Sequence, residues 1–513
     1  MNVCIRLGIG TAFCLVLGAL SGCDYSAPPS YTRPTGTYKD DLSAIVERKS
    51  SGTGSANSPQ ITPTGTGREV LERTAILDSS ITLIQRSALQ PGGSNFGLAI
   101  QKLNQYFEGT PSSEYQLEAE PRKYLETQFS PDVLKSLQNP QWELRDARHV
   151  EDCMMYYSIA NRVAGVGDDL TRVHRLFDWI VRQIQLVPAG SLGSPQLYQA
   201  YARPYDVLMR GLATEADGYW AERSWVFMAL CRQLGIDVGL VTYSKGNRIE
   251  PLANKMGFNP DRVSKLLGAQ PGVPPSIVWI CAVLIDGKLY LFDARVGSPI
   301  PGPGGRGVAT LDQAMADPAI LEQMNLPGES PYGTSQASLL ASPSKIGVLL
   351  DSSVSFYSPK MKLLQQQLSG KNRTILFRDV VDEKNQFAKA LGSRLGIVAM
   401  WPLPLDVETR LFTDGQFSLS TQQSLVFFRL ELPLVYARVK QLRGDLDDAI
   451  QEYVAFRLAE NGTFVTDKKT PIPPLVQEGL DIYATYYLGL AQLEKKNPDQ
   501  AAKMFRQLLD MLP

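Results

Sequence analysis

Residues 219–243 read YWAERSWVFMALCRQLGIDVGLVTY, and the fold predicted for this chain rests mainly on them. Residues 219–234 contain no glycine or proline and carry many large apolar side chains, and Gly235 follows them. A glycine is typical of the position just after a helix, so we predict a helix that ends there. Residues 238–243 form a short apolar run, which predicts a strand directly after the helix.

A β-hairpin is predicted downstream of this stretch. Residues 277–285 and 288–292 are two apolar runs, and Asp286-Gly287 separates them. An Asp-Gly pair between two such runs is a strong signal for a two-residue turn. In that register Ile280 pairs with Asp293, and Val278 lies two positions along on the same face of the hairpin.

Another helix is predicted upstream, where Asp168 or Asp169 can cap its first turn. Apolar side chains then recur at helical spacing. They are Val173, Leu176, Phe177, Ile180 and Ile184. His174 lies beside this stripe, so we expect it at the boundary of the buried face and not in a ligand position.

The order helix, loop, helix, strand, hairpin resembles the core of transglutaminase-like domains, which are relatives of the papain-type cysteine peptidases. Residues 173–184 resemble the first helix of that family, and residues 286–295 resemble the strand that bears its catalytic acid. Residues 219–236 resemble the central helix of the family, and they end in Ala229-Leu230-Cys231-Arg232-Gln233-Leu234-Gly235-Ile236. The resemblance implies an α+β, papain-like domain over residues 166–330.

The chemistry of that family requires a cysteine at the start of the central helix, a histidine that shuttles the proton and an acid that orients the histidine. The resemblance places Trp220 at the cysteine position and Asp293 at the acid position. Val278 falls at the histidine position, with Trp279 as the alternative. Tryptophan cannot attack a carbonyl, and neither valine nor tryptophan can shuttle a proton. The resemblance therefore implies a domain without the family's catalytic cysteine and histidine.

A substitute nucleophile is not evident in the sequence. Cys231 lies eleven positions after Trp220, which is about 16 Å along a helix and places it in the core stripe. Cys281 belongs to a strand that is apolar on both faces, the pattern of a buried central strand. The chain has two histidines, His149 and His174, and both precede these cysteines.

The surroundings of His149 and Glu222 in the sequence explain both residues without a catalytic role. His149 stands among Arg145, Asp146, Arg148 and Glu151, a charged neighbourhood that predicts a solvated surface histidine. Glu222 lies in the first turn of the central helix, where a carboxylate favours the helix dipole. Cys153, Cys231 and Cys281 lack the spacing of metal ligands, so neither a metal nor a cofactor is expected.

The N-terminal residues predict a lipoprotein. Arg6 precedes an apolar run over residues 7–20, which is too short for an ordinary membrane span of about 20 residues. The run ends in Leu20-Ser21-Gly22-Cys23, which resembles the bacterial lipobox, and that resemblance implies lipidation of Cys23. An ordinary signal peptide with a chance cysteine is the alternative. Residues after Cys23, up to about residue 68, are rich in Ser, Thr, Pro and Gly, which predicts a flexible tether.

The C-terminal residues from 433 predict helix pairs of the tetratricopeptide type. One pair is suggested by Tyr436, Ala437, Gly444, Asp445, Ala449 and Tyr453, and a second by Leu488, Gly489, Ala501, Phe505 and Pro513. Because Ala449 and Ala501 are 52 positions apart, we expect an insertion around residues 460–474. Two pairs are short for an independent solenoid, so we expect them to pack on the preceding domain. A generic helical hairpin is the alternative.

Between these regions, residues 331–430 are predicted to be mixed. Strands are expected at residues 346–350 and 374–377, and helices at residues 361–368 and 384–395. The whole chain is therefore divided as follows: signal peptide 1–22, tether 23–67, helical region 68–165, degenerate transglutaminase-like domain 166–330, mixed α/β region 331–430 and tetratricopeptide-like region 431–513.

Composition narrows the function. The chain has 51 basic and 52 acidic side chains, so it lacks the basic surplus of nucleic-acid-binding proteins. We expect a non-catalytic binding or scaffolding protein on the periplasmic side of a bacterial cell envelope. Its expected partners are the membrane, through the lipid on Cys23, and a protein or peptide. The alternative is a cysteine-type peptidase or acyl transferase with a rewired active site.

Overall fold

The computed structural model describes residues 67–87, 95–188, 202–215, 221–244, 276–325, 332–340, 346–413, 433–458 and 474–511. The predicted signal peptide and nearly all of the tether, with Cys23, lie outside these residues, as does Trp220. The described residues form an α+β fold in which helices predominate. None of the described helices combines the length and the apolar character needed to cross a bilayer.

The N-terminal region, predicted to be helical over residues 68–165, is helical but divided into several shorter helices. Residues 68–108 give two helices, α1 (Gly67–Ser87) and α2 (Phe96–Tyr106). The stretch over residues 118–163 gives three, α3 (Ala119–Leu125), α4 (Pro131–Leu137) and α5 (Leu144–Ala164). Pro131 explains one division, because proline lacks an N–H and so suits the first position of a helix. Ser130 caps that helix by accepting a hydrogen bond from the backbone N–H of Val133.

The central region begins with the predicted first helix, α6 (Asp169–Gln183), whose N-terminus Asp168 caps by accepting the N–H of Thr171 at 2.8 Å. Strand β1 (Gln185–Pro188) precedes α7 (Pro204–Arg210) in the sequence, and β2 (Leu212–Glu215) follows it. The two strands pair with each other in parallel. The central helix is α8 (Ala221–Arg232). Gly235 follows it with a φ of 73°, a left-handed conformation that suits glycine, so the predicted helix end is confirmed.

A six-stranded mixed sheet forms the core of the molecule, in the order β6-β5-β4-β3-β7-β8. Its strands are β3 (Asp237–Ser244), β4 (Ser276–Ile285), β5 (Lys288–Asp293), β6 (Ser298–Pro299), β7 (Ile346–Asp351) and β8 (Leu395–Trp401). Neighbouring strands are antiparallel except for β7 and β8, which are parallel. Strand β4 therefore has a neighbour on each side, as expected for the buried strand that contains Cys281.

The hairpin between β4 and β5 has the predicted two-residue turn. Ile285 pairs with Lys288, and the register continues to Cys281 opposite Phe292. Asp286 and Gly287 both have positive φ, 49° and 73°, as a tight hairpin turn of this hand requires. The pairing ends there, and the same register extended by one residue would set Asp293 opposite Ile280, the pair deduced from the sequence.

The two faces of the sheet belong to two different apolar clusters. Helix α8 packs on the face that carries Leu240, Cys281 and Phe292. The opposite face carries side chains such as Val241, Ala282 and Leu291 and packs against the region after β6. The alternation of side chains along each strand thus divides the core into two layers.

The region after β6 contains shorter elements and one wrong prediction. Its helices are α9 (Leu311–Ala316), α10 (Pro318–Glu322), α11 (Gln336–Leu340), α12 (Pro359–Gln367), α13 (Val380–Leu391) and α14 (Pro402–Thr413). Residues 374–377 were predicted as a strand but have no strand partner. Side-chain oxygens take the place of a neighbouring strand, because Gln233 accepts the N–H of Ile375 and Gln365 accepts that of Leu376.

The C-terminal region forms two helical hairpins, as predicted. Their helices are α15 (Pro433–Arg443), α16 (Leu446–Leu458), α17 (Pro474–Glu494) and α18 (Pro498–Met511). Gly489 allows α17 and α18 to approach closely, since a Cβ there would lie 2.5 Å from a ring carbon of Phe505. The hairpins share one apolar cluster with α6 and α8, so they pack on the preceding region, as expected.

Candidate functional site

The candidate site is built around the N-terminal end of α8, whose twelve residues are all buried. Glu222, in its first turn, is fully buried and accepts two hydrogen bonds from the Arg210 guanidinium, each 2.8 Å long. It also accepts the backbone N–H of Ala202 at 2.6 Å. Glu222 therefore does more than favour the helix dipole, because it joins α8 to α7 through a buried ion pair.

Arg223 connects the same turn to the end of β5. Its guanidinium donates to the carbonyl oxygen of Ala294 at 2.9 Å and also to the carbonyl oxygen of Ile184. Ala294 directly follows Asp293. The start of the central helix thus lies beside the end of the strand that carries Asp293.

Asp293 is buried, with 3% of its surface exposed, and three donors hold its carboxylate. One oxygen accepts the backbone N–H groups of Arg295 and Val296, at 2.8 and 3.1 Å. The other accepts the phenolic O–H of Tyr332 at 2.5 Å. Burial raises the pKa of Asp293 above its ordinary value, although these hydrogen bonds to the charged form act in the opposite direction.

Trp279 extends this group of contacts. Its indole N–H donates to the Tyr332 hydroxyl oxygen at 3.1 Å, and its ring lies edge-on to Tyr243 with 6.2 Å between the centroids. The result is a hydrogen-bonded chain from Trp279 through Tyr332 to Asp293. We call these three residues the Asp293 chain. It lacks an imidazole, and each of its members has a defined partner.

A bulge in β4 lies at Trp279, the residue of this strand that joins the chain. Val241 pairs with Ile280 and Thr242 pairs with Val278, so Trp279 is an extra residue on β4. An extra residue locally disturbs the alternation of a strand and redirects its side chain. The register deduced from the turn alone could not include this bulge. Val278 lies within β4, and the structure does not describe its side chain.

Tyr332 is the residue that sequence reasoning missed. It lies 39 positions after Asp293, and no motif or spacing connects the two. Trp220, assigned to the cysteine position, directly precedes the first described residue of α8 and lies outside the described residues. Of the positions assigned to the catalytic triad, the structure describes Asp293 and Trp279, which are connected through Tyr332. At the position assigned to the cysteine it describes only the following residues, at the start of α8.

The cysteines of the central region lie in surroundings that disfavour the thiolate. Cys231 and Cys281 are both fully buried, and neither forms a disulfide. Burial raises the pKa of Cys281 to about 12 and raises that of Cys231 well above its ordinary value. The nucleophilic thiolate is therefore scarce at neutral pH at both positions.

The prediction for His149 is wrong, because this histidine is buried and not solvated. Among the charged residues around it, Asp146 pairs with the distant Lys360 at 2.6 Å, while Arg148 and Glu151 pair with each other at 3.0 Å. The Nε2 of His149 lies 3.0 Å from the carbonyl oxygen of Leu376, so that nitrogen carries the proton and donates. The charged neighbourhood of His149 is thus part of a contact surface of α5 and not a solvated face.

His149 also lies close to a thiol. The Sγ of Cys153 is 3.6 Å from its Nε2, within one helical turn. Burial lowers the pKa of His149 to about 4 and raises that of Cys153 well above its usual range. Both groups are therefore neutral near pH 7, and the contact does not supply the thiolate–imidazolium pair of a cysteine enzyme. The other histidine, His174, pairs with Asp178 at 3.4 Å on the surface of α6.

The C-terminal end of α8 is held by a second buried ion pair. Arg232 donates to Asp351 at 2.8 Å and lies 3.7 Å from Glu383. Its guanidinium also stacks over the ring of Phe356 at 4.2 Å. These contacts fix α8 between β7 and α13, so both ends of the central helix are anchored by charge.

Within the part of the chain that the structure describes, no group of histidine, cysteine and acidic side chains is arranged to hold a metal ion. Comparisons of the chain with protein-family models, with curated proteins and with solved structures gave no match.

Proposed function

We propose that residues 166–330 form a degenerate transglutaminase-like domain, with a papain-like core, and that the protein is a lipid-anchored, non-catalytic binding or scaffolding protein of a bacterial cell envelope. Two features support the domain assignment. The elements α6, α8, β3 and the β4–β5 hairpin occur in the family's order, although β1, α7 and β2 lie between α6 and α8 where the resemblance implies a loop. The contact of Arg223 with Ala294 brings the start of the central helix to the end of the acid's strand.

The observation that carries the non-catalytic proposal is the engagement of Asp293. In the family's reaction the acid orients an imidazole. Here the Tyr332 phenol and two backbone N–H groups donate to this carboxylate. The indole N–H of Trp279 donates in turn to the phenol oxygen. Asp293 then serves as a structural acceptor that fixes the loop after β5 and the position of Tyr332.

The alternative, a cysteine-type peptidase or acyl transferase with a rewired site, requires a thiolate near a base. Cys231 and Cys281 have raised pKa values, and the described contact between a histidine and a cysteine involves two buried neutral groups. These observations favour binding over catalysis.

The enzymatic alternative is tested by turnover. We expect the full chain to hydrolyse amide substrates and to transfer acyl groups no faster than its Asp293→Asn and Cys281→Ser variants, because no reacting pair is available. The measurement is the rate of ammonia release from glutamine-containing peptides and of alcohol release from ester substrates. Turnover by the wild-type chain that either substitution removes would contradict the proposal and favour the rewired enzyme.

The C-terminal hairpins are proposed to be tetratricopeptide-like and to complete the scaffold. Arg438 of α15 is fully buried and donates to the carbonyl oxygen of Leu208, and Tyr487 of α17 donates to that of Arg210 at 2.7 Å. These contacts join the hairpins to α7 and to the Arg210–Glu222 pair at the candidate site. A partner that binds the hairpins would therefore contact a rigid extension of the central region. We propose a peptide or protein partner and no nucleic acid.

The anchoring part of the proposal predicts that the mature chain begins at a lipidated Cys23. The motivation is the Leu20-Ser21-Gly22-Cys23 sequence. We expect the Cys23→Ser variant to move from the membrane fraction to the soluble fraction and to lose the mass of the acyl chains, because it lacks the thiol that carries them. Fractionation and intact-mass spectrometry measure both changes. A wild-type chain without lipid mass, or one that is already soluble, would contradict this prediction.

A further inference from the structure

Two stretches of the sequence contain basic side chains but no acidic ones. Residues 79–107 and residues 352–378 lack aspartate and glutamate altogether, in a chain that has 52 acidic residues. The structure packs the two stretches against each other, because side chains of both, such as Ile81 and Met361, belong to one apolar cluster. Positive charge is therefore concentrated where these stretches reach the surface together.

Some of these basic side chains are engaged by acids from other parts of the chain. Lys360, Lys362 and Arg378 each form an ion pair, with Asp146, Glu118 and Asp237 in that order. These three cations are therefore not available to a partner, and the argument for a binding surface depends on the others.

The unengaged cations meet at the C-terminal end of α1. The side-chain amide of Gln85 donates to the side-chain oxygen of Asn372 at 3.4 Å. Arg86 directly follows Gln85, while Lys371 and Arg373 flank Asn372. All three of these cations are exposed, and none has an ion-pair partner among the residues that the structure describes.

The last turn of α15 adds a fourth basic side chain. Arg443 donates to the carbonyl oxygen of Gln85 at 2.5 Å and is partly exposed. Asp445, two positions later, is the acidic residue nearest to Arg443 in the sequence. The chain as a whole has a net charge of −1, so the four cations are a local excess of positive charge. These four side chains form what we call the basic patch: Arg86, Lys371, Arg373 and Arg443.

An extended array of anions is the partner that fits the basic patch, because its cations lie on two helix ends and a turn and not around one point. The headgroups of an anionic bilayer form such an array, and clusters of about four to eight Lys and Arg side chains are typical of surfaces that bind them. The choice of a membrane as the partner rests on the proposed lipid anchor at Cys23. Residues 24–66 can span up to about 140 Å when extended, so the anchor leaves the basic patch able to face the bilayer.

We propose that the basic patch binds the anionic headgroups of the membrane to which the chain is anchored. Each basic side chain near an anionic surface strengthens binding about fivefold. Arg86 lies about 28 Å along the helix axis from Gly67, where α1 begins. Binding at the far end of α1 therefore turns this end toward the bilayer and sets an orientation of the folded body that the anchor alone does not specify.

Residue-specific lysine labelling of the purified full chain on vesicles tests the proposal. The vesicles contain phosphatidylcholine alone or an equal mixture of phosphatidylcholine and the anionic phosphatidylglycerol. A membrane-impermeant acetylating ester modifies exposed amines, and mass spectrometry gives the rate at each lysine. We expect the rate at Lys371, relative to that at the exposed Lys503 of α18, to fall at least about threefold on the anionic vesicles only. Sodium chloride at about 1 M should abolish this protection, because it shortens the Debye length to about 3 Å.

The double variant Arg86→Glu, Arg373→Glu should lose the protection of Lys371, because it reverses two charges of the basic patch and keeps the amine that reports. The double variant Lys123→Glu, Lys135→Glu is the matched control. It makes the same change of net charge at exposed positions of α3 and α4, so the protection of Lys371 should remain.

Three results would each overturn the proposal. They are an equal Lys371 rate on both kinds of vesicle, protection that persists in the patch variant, and equal protection by inorganic phosphate without vesicles, which would assign the basic patch to a small anion. Flotation with phosphatidylcholine vesicles reports the lipid anchor separately, because these vesicles carry no net charge. A chain that does not float with them, but whose Lys371 is protected on anionic vesicles, would contradict the anchor and support the basic patch.

Discussion

Arg232→Met is expected to destabilise the protein by about 3–5 kcal/mol, the cost of leaving buried charges without their partner. The guanidinium donates to Asp351 and lies near Glu383, and these two carboxylates are 0% and 1% exposed. Methionine has a similar shape but no charge, so it keeps much of the packing over Phe356 and removes the ion pair. Urea unfolding followed by circular dichroism measures the change.

The pH dependence distinguishes this mechanism from a simple packing defect. Burial already raises the pKa of Glu383, and the nearby Arg232 lowers it. Without Arg232 the pKa of Glu383 in the folded state should rise further. A carboxyl whose pKa is higher in the folded than in the unfolded state destabilises the fold when it is ionised, and protonation removes this cost. The loss of unfolding free energy caused by Arg232→Met should therefore shrink as the pH falls from 7.5 to 5.5.

Lys362→Met is the matched control for Arg232→Met, because it removes a cation from the exposed pair with Glu118. It should change the free energy of unfolding by less than about 1 kcal/mol. If Arg232→Met lowered the free energy of unfolding by no more than Lys362→Met does, at every pH, the Arg232 ion pair would contribute nothing to stability.

Ala501→Trp is expected to cost on the order of 1–3 kcal/mol by overpacking the last helical hairpin. Ala501 is 2% exposed in α18, and on the facing helix a Cβ at Gly489 would already meet the Phe505 ring at 2.5 Å. The indole would therefore have to separate α17 from α18. Because these helices share a core with α6 and α8, we expect the midpoint of thermal unfolding of the whole body to fall.

Lys503→Trp provides the control for this substitution, since Lys503 is exposed on the same helix. It introduces the same ring at a position where the ring can remain in solvent. Equal thermal unfolding of the Ala501→Trp, Lys503→Trp and wild-type chains would mean that the small residues of the hairpin are not packing positions and that the repeat interpretation is wrong.

The sequence predicts the central elements well where local signals are strong. The Asp286-Gly287 turn, the end of α8 at Gly235 and the cap of α6 at Asp168 each depend on residues within one turn of one another. Such signals act through backbone conformation and local hydrogen bonds, and the fold leaves them unchanged. The hairpin register followed from the turn and is observed.

The missed features depend on contacts between distant parts of the chain. The bulge at Trp279 and the hydrogen bond between Tyr332 and Asp293 have no local sequence signal, because each is set by tertiary packing. His149 was misassigned for a related reason. A cluster of charges on a helix is solvated only when other segments do not supply its partners, and here Lys360 lies 214 positions after Asp146.

Iodoacetamide labelling of the native full chain tests most directly the claim that the central domain has no reactive thiol. Mass spectrometry of tryptic peptides gives the alkylation rate of each cysteine, and turnover is measured on the same samples. We predict that Cys153, Cys231 and Cys281 are labelled only after unfolding in urea, because burial keeps their thiols protonated. Fast, selective alkylation of Cys231 or Cys281 in the native chain, with loss of turnover, would contradict the account.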